Sequence, residues 1–357
     1  MRISNTLLIA AMLSAAAHAT AAPAPPQPSS LPAVSASLPC ADGMTSKECD
    51  IRTMISVRSL ALQEMWRNKR YAELDQALLS LCGAGTHLPD GQPELLVFEY
   101  TFDILFREWK QWDAAEAKLA TWRAQSPGSV AQALAETMFW SAYAWHGRGS
   151  GYASKVPPEA WELFRERMGK AAALLANSKA KADTCPLWHS LNIATLIQTS
   201  KPRAMVDAAY AEAVRAFPAS QQIHFAMSQA MQPKWGAAEG DFDRFARRAI
   251  GYTHKTEGSA IYARLYWSED CNCDDALTFG GKGDPDWKLL KAGFEELLTR
   301  YPDEIYNRNK YASFACRAND RTTYLKLRRE LGGNIVDALW PSSWKVDVCD
   351  RRMTEKT

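Results

Sequence analysis

The chain has 357 residues, of which 47% are hydrophobic and 23% are charged, and its formal net charge is +2. This balance is typical of a soluble globular protein with enough apolar residues to form a core, and it excludes a chain that is disordered throughout. Nucleic-acid binding needs Lys and Arg concentrated on one face, whereas the basic clusters here are short and the net charge is close to zero. We therefore expect no nucleic-acid partner.

The first residues have the pattern of a secretory signal peptide. Arg2 precedes the apolar run 7–13, and small residues follow at Ala17, Ala19 and Ala21. These are the charged start, apolar middle and cleavage site of such a peptide. The apolar run is shorter than the roughly 20 residues that cross a bilayer. We predict that residues 1–21 are removed and that the protein is periplasmic or secreted, with no membrane span after cleavage.

The segment that follows differs in composition from the rest of the chain. Residues 22–39 contain six prolines together with Ala and Ser. Such a segment buries too little apolar surface to offset the entropy of ordering it, so we predict a disordered linker. Beyond the linker we expect a helical repeat domain over residues 40–345 and a short C-terminal tail over residues 346–357.

From residue 51 onwards, apolar residues recur at three- and four-residue spacing, which is the pattern of amphipathic helices. Leu290, Phe294 and Leu297 form one such stripe. We therefore expect an all-α protein. The predicted helices span residues 51–68, 71–83, 93–109, 112–125, 130–146, 158–177, 186–199, 203–216, 220–231, 239–251, 258–268, 286–300, 303–317 and 320–331.

Several predicted helices end at a turn that contains proline, at Pro127, Pro218 and Pro302, and another amphipathic helix follows each time. Proline lacks the amide N–H, so it ends one helix and suits the first turn of the next. Such pairs are typical of tetratricopeptide arrays, although these prolines recur less often than the period of about 34 residues. We predict a degenerate tetratricopeptide-like helix-hairpin array, an α-solenoid or α/α superhelix. A nonrepetitive helical globule is the alternative.

The eight cysteines all lie after the predicted signal peptide, so export would permit disulfide bonds. The first two flank a short polar loop and form the pair that we favour, whereas the two in the acidic loop could bond to each other or separately. Cys82 and Cys316 lie in apolar helical segments, where buried thiols are equally compatible with the sequence. The disulfide candidates are Cys40, Cys49, Cys271 and Cys273.

Two glycine-containing loops carry residues suited to binding. The loop at 145–152 has three glycines, whose backbone reaches conformations that other residues disfavour. Aromatic, titratable and guanidinium groups surround them, a combination that suits a carboxylate or peptide ligand. The alternative is a helix C-cap and turn in which Arg148 holds loop carbonyls, and the loop at 234–236 has the same two interpretations. The candidate binding residues are Trp145, His146, Arg148, Tyr152, Lys234 and Trp235.

The acidic loop resembles a metal site only in part. Asp270, Asn272 and Asp274 alternate as in the opening of a calcium loop. However, Asp275 stands where such a loop needs Gly, and Gly281 stands where it needs a bidentate Glu. We therefore predict no metal site. We also found no motif that would assign a catalytic residue or a cofactor.

Several motifs occur in the same order as in a known family, and together they cover residues from about 51 to 331. The chain resembles a bacterial family described only as domain of unknown function 4034, although Ala237 replaces a glycine that is common there. The resemblance implies a helical, tetratricopeptide-like protein without an established activity, and it implies no catalytic residues. The motifs are Trp145-His146-Gly147-Arg148-Gly149-Ser150-Gly151-Tyr152, Gln232-Pro233-Lys234-Trp235-Gly236 with Phe242-x-x-Phe245-Ala246, Tyr262-Ala263-Arg264-x-Tyr266 and Asn307-x-Asn309-x-Tyr311-Ala312-x-Phe314-Ala315-Cys316.

Three functions are compatible with these observations. Stacked helix hairpins create a concave face that typically binds peptides or proteins, so our main hypothesis is a protein- or peptide-interaction or scaffold module. A hydrolase of unrecognised type, with its site in a helical cleft, is the alternative. A structural envelope factor without a small ligand is the third hypothesis.

Overall fold

The computed structural model describes residues 51–83, 85–107, 111–149, 151–270, 277, 279–280 and 284–354. These residues form fifteen α-helices joined by short loops and 3₁₀ turns. The prediction of an all-α protein is therefore confirmed. The helices are α1 (Ile51–Arg67), α2 (Tyr71–Gly83), α3 (Leu96–Arg107), α4 (Trp112–Gln125), α5 (Val130–Arg148), α6 (Pro158–Ala182), α7 (Pro186–Gln198), α8 (Arg203–Ala216), α9 (Gln221–Gln229), α10 (Asp241–Thr253), α11 (Ala260–Asp270), α12 (Trp287–Arg300), α13 (Ile305–Arg317), α14 (Arg321–Leu331) and α15 (Val346–Thr354).

Two predicted boundaries differ from the structure for physical reasons. The helix predicted over 93–109 begins only at Leu96, because the residues before it form a tight turn with an isolated antiparallel bridge between His87 and Pro93. The segment that we set apart as a tail, residues 346–357, contains α15. Cys349 and Met353 of this helix are buried, so the packed fold extends past the predicted boundary.

The helices pack in a regular order along the chain. Helix α1 packs against α3, α3 against α5, α5 against α7, α7 against α9 and α9 against α11, so the odd-numbered helices from α1 to α11 form a continuous layer. Most even-numbered helices pack against their neighbours in the chain, and α5 and α6 form the most extensive hairpin. This connectivity fits stacked helical hairpins. The tetratricopeptide-like repeat stays a prediction.

Two large hydrophobic cores lie within this arrangement, and α1 contributes to both. Its first turns place Ile51 and Ile55 in the C-terminal core, which extends to Met353. Its later turns place Leu62 and Trp66 in the N-terminal core, which extends to Trp188. Burying one large apolar side chain stabilises the fold by roughly 1.5–3 kcal/mol. Helix α1 therefore contributes apolar side chains to both cores.

Two disulfide bonds join segments that are distant in sequence. Cys82 at the end of α2 bonds to Cys185 immediately before α7, and Cys316 of α13 bonds to Cys349 of α15. The sequence left the first member of each pair open between a disulfide and a buried thiol. The predicted candidates Cys40, Cys49, Cys271 and Cys273 lie outside the described residues. Disulfides of this kind persist in oxidising compartments.

In the part of the chain that the structure describes, no helix has both the length and the apolar composition needed to span a bilayer.

Candidate functional site

The predicted loop at 145–152 lies at the end of the α5/α6 hairpin. Helix α5 begins after Ser129, whose side chain accepts a hydrogen bond from the main-chain N–H of Gln132 at 3.0 Å. It ends at Gly149, which has a φ of 76° and donates its N–H to the carbonyl of Trp145 at 2.9 Å. Glycine is the residue that adopts this conformation without strain, so it allows the chain to leave the helix here. Helix α6 begins at Pro158, where the missing N–H costs nothing.

Arg148 fixes the loop between the two helices. Its guanidinium lies over the rings of Trp145 and Trp161, at 5.2 and 5.0 Å from the ring centroids. Its Nη1 donates to the carbonyls of Gly149 at 3.0 Å and Gly151 at 2.7 Å. Cation–π contacts of this kind contribute about 0.5–1 kcal/mol each near a surface. Arg148 thus holds loop carbonyls, as the alternative interpretation of the sequence proposed.

Tyr152 lies on the loop that Arg148 holds, and its side chain points away from the protein. It is 87% exposed, more than any other large hydrophobic residue that the structure shows at the surface. The next three residues form a 3₁₀ turn, in which Lys155 donates its N–H to the carbonyl of Tyr152 at 2.8 Å. We call residues 149–157 the outer loop; Ser150 lies outside the described residues. The outer loop therefore presents an aromatic ring from an organised backbone.

The other predicted residues of this hairpin take part in packing. The exposed ring of His146 lies 5.0 Å from the ring of Trp112, which is stacked on Tyr143 at 4.6 Å. The indole N–H of Trp145 donates to Gln198 Oε1 of α7 at 3.0 Å. These contacts anchor the hairpin to α4 and α7 and give the outer loop a rigid base.

Lys234 and Trp235 lie in a different part of the protein. They belong to a 3₁₀ turn, Pro233–Trp235, that is followed by Gly236 with a φ of 87°. Lys234 is exposed, whereas Trp235 packs against the C-terminal core. Trp145 instead packs against a small separate cluster that contains Phe164. The two predicted loops thus belong to different hydrophobic clusters.

A second polar arrangement, which sequence analysis missed, is formed around the loop before α3. We call residues 85–95 the inner loop. Its turn is closed by hydrogen bonds from Leu88 N–H to Gln92 O at 2.7 Å and from Gly91 N–H to Leu88 O at 2.8 Å. The carboxylate of Asp90 accepts the N–H of Gln92 at 2.9 Å. Leu88 and Asp90 are both 0% exposed, so the tip of the loop is buried inside the protein.

Three side chains from three odd-numbered helices hold the carbonyls at this tip. Arg264 of α11 donates to Asp90 O at 2.7 Å, and Asn307 of α13 donates to the same oxygen at 3.2 Å. Gln221 of α9 donates to Gly91 O at 2.8 Å. We call Gln221, Arg264 and Asn307 the carbonyl clamp. It joins the inner loop to residues 130 to 217 positions later in the chain.

An ion pair and close packing surround the clamp. Arg264 pairs with Glu257 at 3.4 Å, with both side chains at most 5% exposed, and Gln221 also donates to Glu257. Burial raises the pKa of the Glu257 carboxyl, and Arg264 opposes this shift. Gly91 has a φ of 85°, and a Cβ there would collide with the ring of Tyr301 and stand 2.5 Å from Arg264 Nη2. The position therefore requires glycine for both space and backbone conformation.

One sequence signal could have located the inner loop. Pro89, Asp90 and Gly91 are consecutive, and this combination is typical of a tight turn. The predicted helix 93–109 leaves this turn free and overlaps the inner loop only at residues 93–95. Arg264 and Asn307 occur in motifs of the family resemblance, but nothing in the local sequence indicates that they meet Asp90.

The described part of the acidic loop forms an ion-pair cluster. Asp270 accepts hydrogen bonds from Lys310 Nζ at 2.6 Å and from Arg317 Nη1 at 2.7 Å. All three side chains are at most 3% exposed. The carboxylate of Asp270 thus forms ion pairs with two buried cations. Residues 271–276 and 281–283 lie outside the described residues.

Fold and contacts together define an all-α protein of packed helical hairpins, with one glycine-containing loop held at the surface and one held inside. The family model described as Domain of unknown function (DUF4034) matches residues 58–233, and this segment belongs to that family. The match is shorter than the extent of the resemblance noted in the sequence; it includes the outer loop, the inner loop and Gln221 but ends before Arg264 and Asn307. No curated protein and no solved structure matches the chain.

Proposed function

We propose that this protein is an exported protein-interaction module and that the outer loop is its contact surface. The observation that carries the proposal is the display of Tyr152, 87% exposed, on a loop whose carbonyls are held by Arg148. Tyrosine is among the residues that contribute most to binding at protein interfaces. Because Arg148 already holds the carbonyls of Gly149 and Gly151, a partner that covers the ring pays less conformational entropy on binding.

Export is part of the same proposal. It is supported by the signal-peptide pattern before residue 22 and by the two disulfide bonds, which are favoured in an oxidising compartment. The partner is then expected among envelope or secreted proteins.

The groove between α12 and α14 does not favour the alternative of a hydrolase. This cleft has a volume of about 330 Å³ and is lined by charged and polar side chains that include Glu295, Arg308 and Glu330. Glu295 accepts a hydrogen bond from the hydroxyl of Tyr311 at 3.2 Å, and Arg308 pairs with Glu330 at 3.2 Å. Because these groups are already hydrogen-bonded or ion-paired with one another, we favour binding over catalysis.

Photo-crosslinking tests the proposal at single-residue resolution. A photoreactive phenylalanine analogue replaces Tyr152 in the full chain, and a matched control carries it at Met205 of α8, which is 49% exposed. We expect a discrete crosslinked protein from position 152 that is weaker when Arg148→Ala is added. The same product from both positions, or none from position 152, contradicts the proposal.

A binding titration with the crosslinked partner then measures the contribution of the ring. We expect Tyr152→Ala to weaken binding about 30-fold, the loss typical of a hot-spot residue. Met205→Ala should leave the affinity unchanged. Equal affinities for Tyr152→Ala and the wild type would remove the outer loop from the interface.

A further inference from the structure

The inner loop uses only part of the hydrogen-bonding capacity of the carbonyl clamp. Gln221 and Asn307 donate their amide N–H groups to loop carbonyls, whereas Gln221 Oε1 and Asn307 Oδ1 are buried without a hydrogen-bond partner among the described residues. Glu257 Oε2 is buried in the same state. The clamp therefore holds the loop through its donors and leaves two of its own acceptor oxygens unused, with Glu257 Oε2 as a third beside it.

The geometry of the turn explains why these acceptors stay unused. The N–H of Gly91 is bonded to Leu88 O, and the N–H of Gln92 is bonded to the Asp90 carboxylate. Both N–H groups are therefore hydrogen-bonded within the loop and cannot donate to the acceptors of the clamp. A buried acceptor without a donor costs free energy, so a segment with free N–H groups would use the site more fully.

We propose that the carbonyl clamp is a binding site for the main chain of an extended peptide and that the inner loop is its resident competitor. An extended strand presents carbonyl and N–H groups that are not bonded to each other, which matches the donors and acceptors of Gln221 and Asn307. The site is separate from the outer loop, so the failure of either proposal leaves the other standing.

The surroundings of Leu88 and Asp90 in the inner loop also indicate which side chains the ligand carries. Leu88 is fully buried in the C-terminal core, two residues before the carbonyl that Arg264 and Asn307 hold. The carboxylate of Asp90 instead turns back onto Gln92. A ligand is therefore expected to need a leucine-sized apolar residue two positions before the clamped carbonyl and to tolerate replacement of the acidic residue.

The inner loop is tethered to the site that it fills, so its effective concentration there is high and a free peptide binds the wild type weakly. Gly91→Ala should weaken the binding of the inner loop to the carbonyl clamp, because the added Cβ collides with Tyr301 and approaches Arg264. Gly149→Ala is the matched control: Gly149 also has a positive φ, but its Cβ would meet nothing within 4 Å. The two variants separate displacement of the loop from backbone strain.

Fluorescence anisotropy with a labelled linear peptide of residues 85–95 makes the measurement on the full mature chain. We expect Gly91→Ala to bind the peptide at least about tenfold more tightly than the wild type, since the competing loop is weakened. Adding Asn307→Ala should reverse the gain, and Gly149→Ala should bind like the wild type. Equal binding by both glycine variants, or no effect of Asn307→Ala, would overturn the proposal.

Hydrogen exchange on the wild type provides a measurement that does not depend on the stability of Gly91→Ala. With a large excess of the peptide of residues 85–95, we expect faster exchange at the amides of the inner loop in the protein. A second peptide with Leu88→Ser should have a weaker effect at equal concentration. Unchanged exchange in the inner loop at saturating peptide shows that the loop is a permanent part of the core and refutes the proposal.

Discussion

An arginine holds the carbonyls of a glycine-containing loop at two places in this protein, one at the surface and one inside. At the outer loop, Arg148 donates to Gly149 and Gly151 from between two Trp rings. At the inner loop, Arg264 donates to Asp90 O while it is 4% exposed and paired with Glu257. The hydrogen bonds are of the same kind, and the two arginines differ in their burial and in their other partners.

Burial decides what each contact contributes. Water replaces a lost hydrogen bond at an exposed site, whereas an unpaired polar group inside the protein pays its full desolvation cost. The contacts of the outer loop can therefore be lost at a small cost in stability. The inner loop is held by side chains from three helices, and its contacts contribute to the stability of the whole fold. Two matched pairs of substitutions test this difference between the loops, and a third pair compares a buried histidine with an exposed one.

The largest difference is expected between the two arginines. Arg264→Ala leaves Glu257 as a buried charge without its partner, so we expect a loss of about 3–5 kcal/mol in the free energy of unfolding. Arg148→Ala removes contacts near the surface, so we expect a loss of about 1 kcal/mol or less. Urea denaturation under non-reducing conditions measures both. Equal losses would show that burial does not distinguish the two loops.

The two glycines should differ by a smaller amount. Gly91→Ala combines a steric collision with a positive φ, so we expect destabilisation of about 2–4 kcal/mol. Gly149→Ala introduces only the strain of a positive φ, so we expect destabilisation of about 1–2 kcal/mol. Thermal unfolding followed by circular dichroism compares them. If Gly149→Ala were the more damaging variant, the inner loop would not be closely packed.

A third difference is expected between two histidines, and it appears only on acidification. His224 Nδ1 lies 2.9 Å from the hydroxyl of Tyr210, its Nε2 lies 2.8 Å from Pro218 O, and burial lowers its pKa from 6.5 to about 4. The unfolded chain binds the proton more readily, so stability is retained above pH 6.5 and is lost as pH falls from about 6.5 towards 4. The contribution of this group is on the order of 2–3 kcal/mol.

Two variants test this pH dependence through the free energy of unfolding at pH 7 and pH 4.5. His224→Gln should reduce the loss of stability on acidification, because Gln does not titrate. The control is His146→Gln at the exposed end of α5, which should lose stability on acidification as the wild type does. A slope that is unchanged in His224→Gln would assign the acid sensitivity to other groups.

The helices were predictable because their signals are local. The predicted helix 203–216 agrees with α8 at both ends, and the stripe Leu290, Phe294 and Leu297 is fully buried in α12. An amphipathic period and a proline that follows a helix act over a few residues, which is the range that a sequence pattern reports. The outer loop was found for the same reason, since its glycines and aromatic residues are adjacent in the chain.

The inner loop and the disulfide pairs depend on contacts that no local pattern contains. The partner of Asp90 O at Asn307 is 217 residues away, and Cys82 is 103 residues from Cys185. Cys316 gives no local indication of Cys349, because the two are 33 residues apart and α15 meets α13 only through packing. Only the packing of helices brings these residues together, and one sequence does not record that packing.

The distances along the chain also set an order of events during synthesis. The inner loop leaves the ribosome long before Gln221, Arg264 and Asn307, which hold its carbonyls 130 to 217 residues later. Until the last of them has emerged, the carbonyl of Asp90 lacks a partner, and the first turns of α1 lack much of the core against which they pack. The first turns of α1 and the inner loop must therefore wait, incompletely packed, for the last third of the chain.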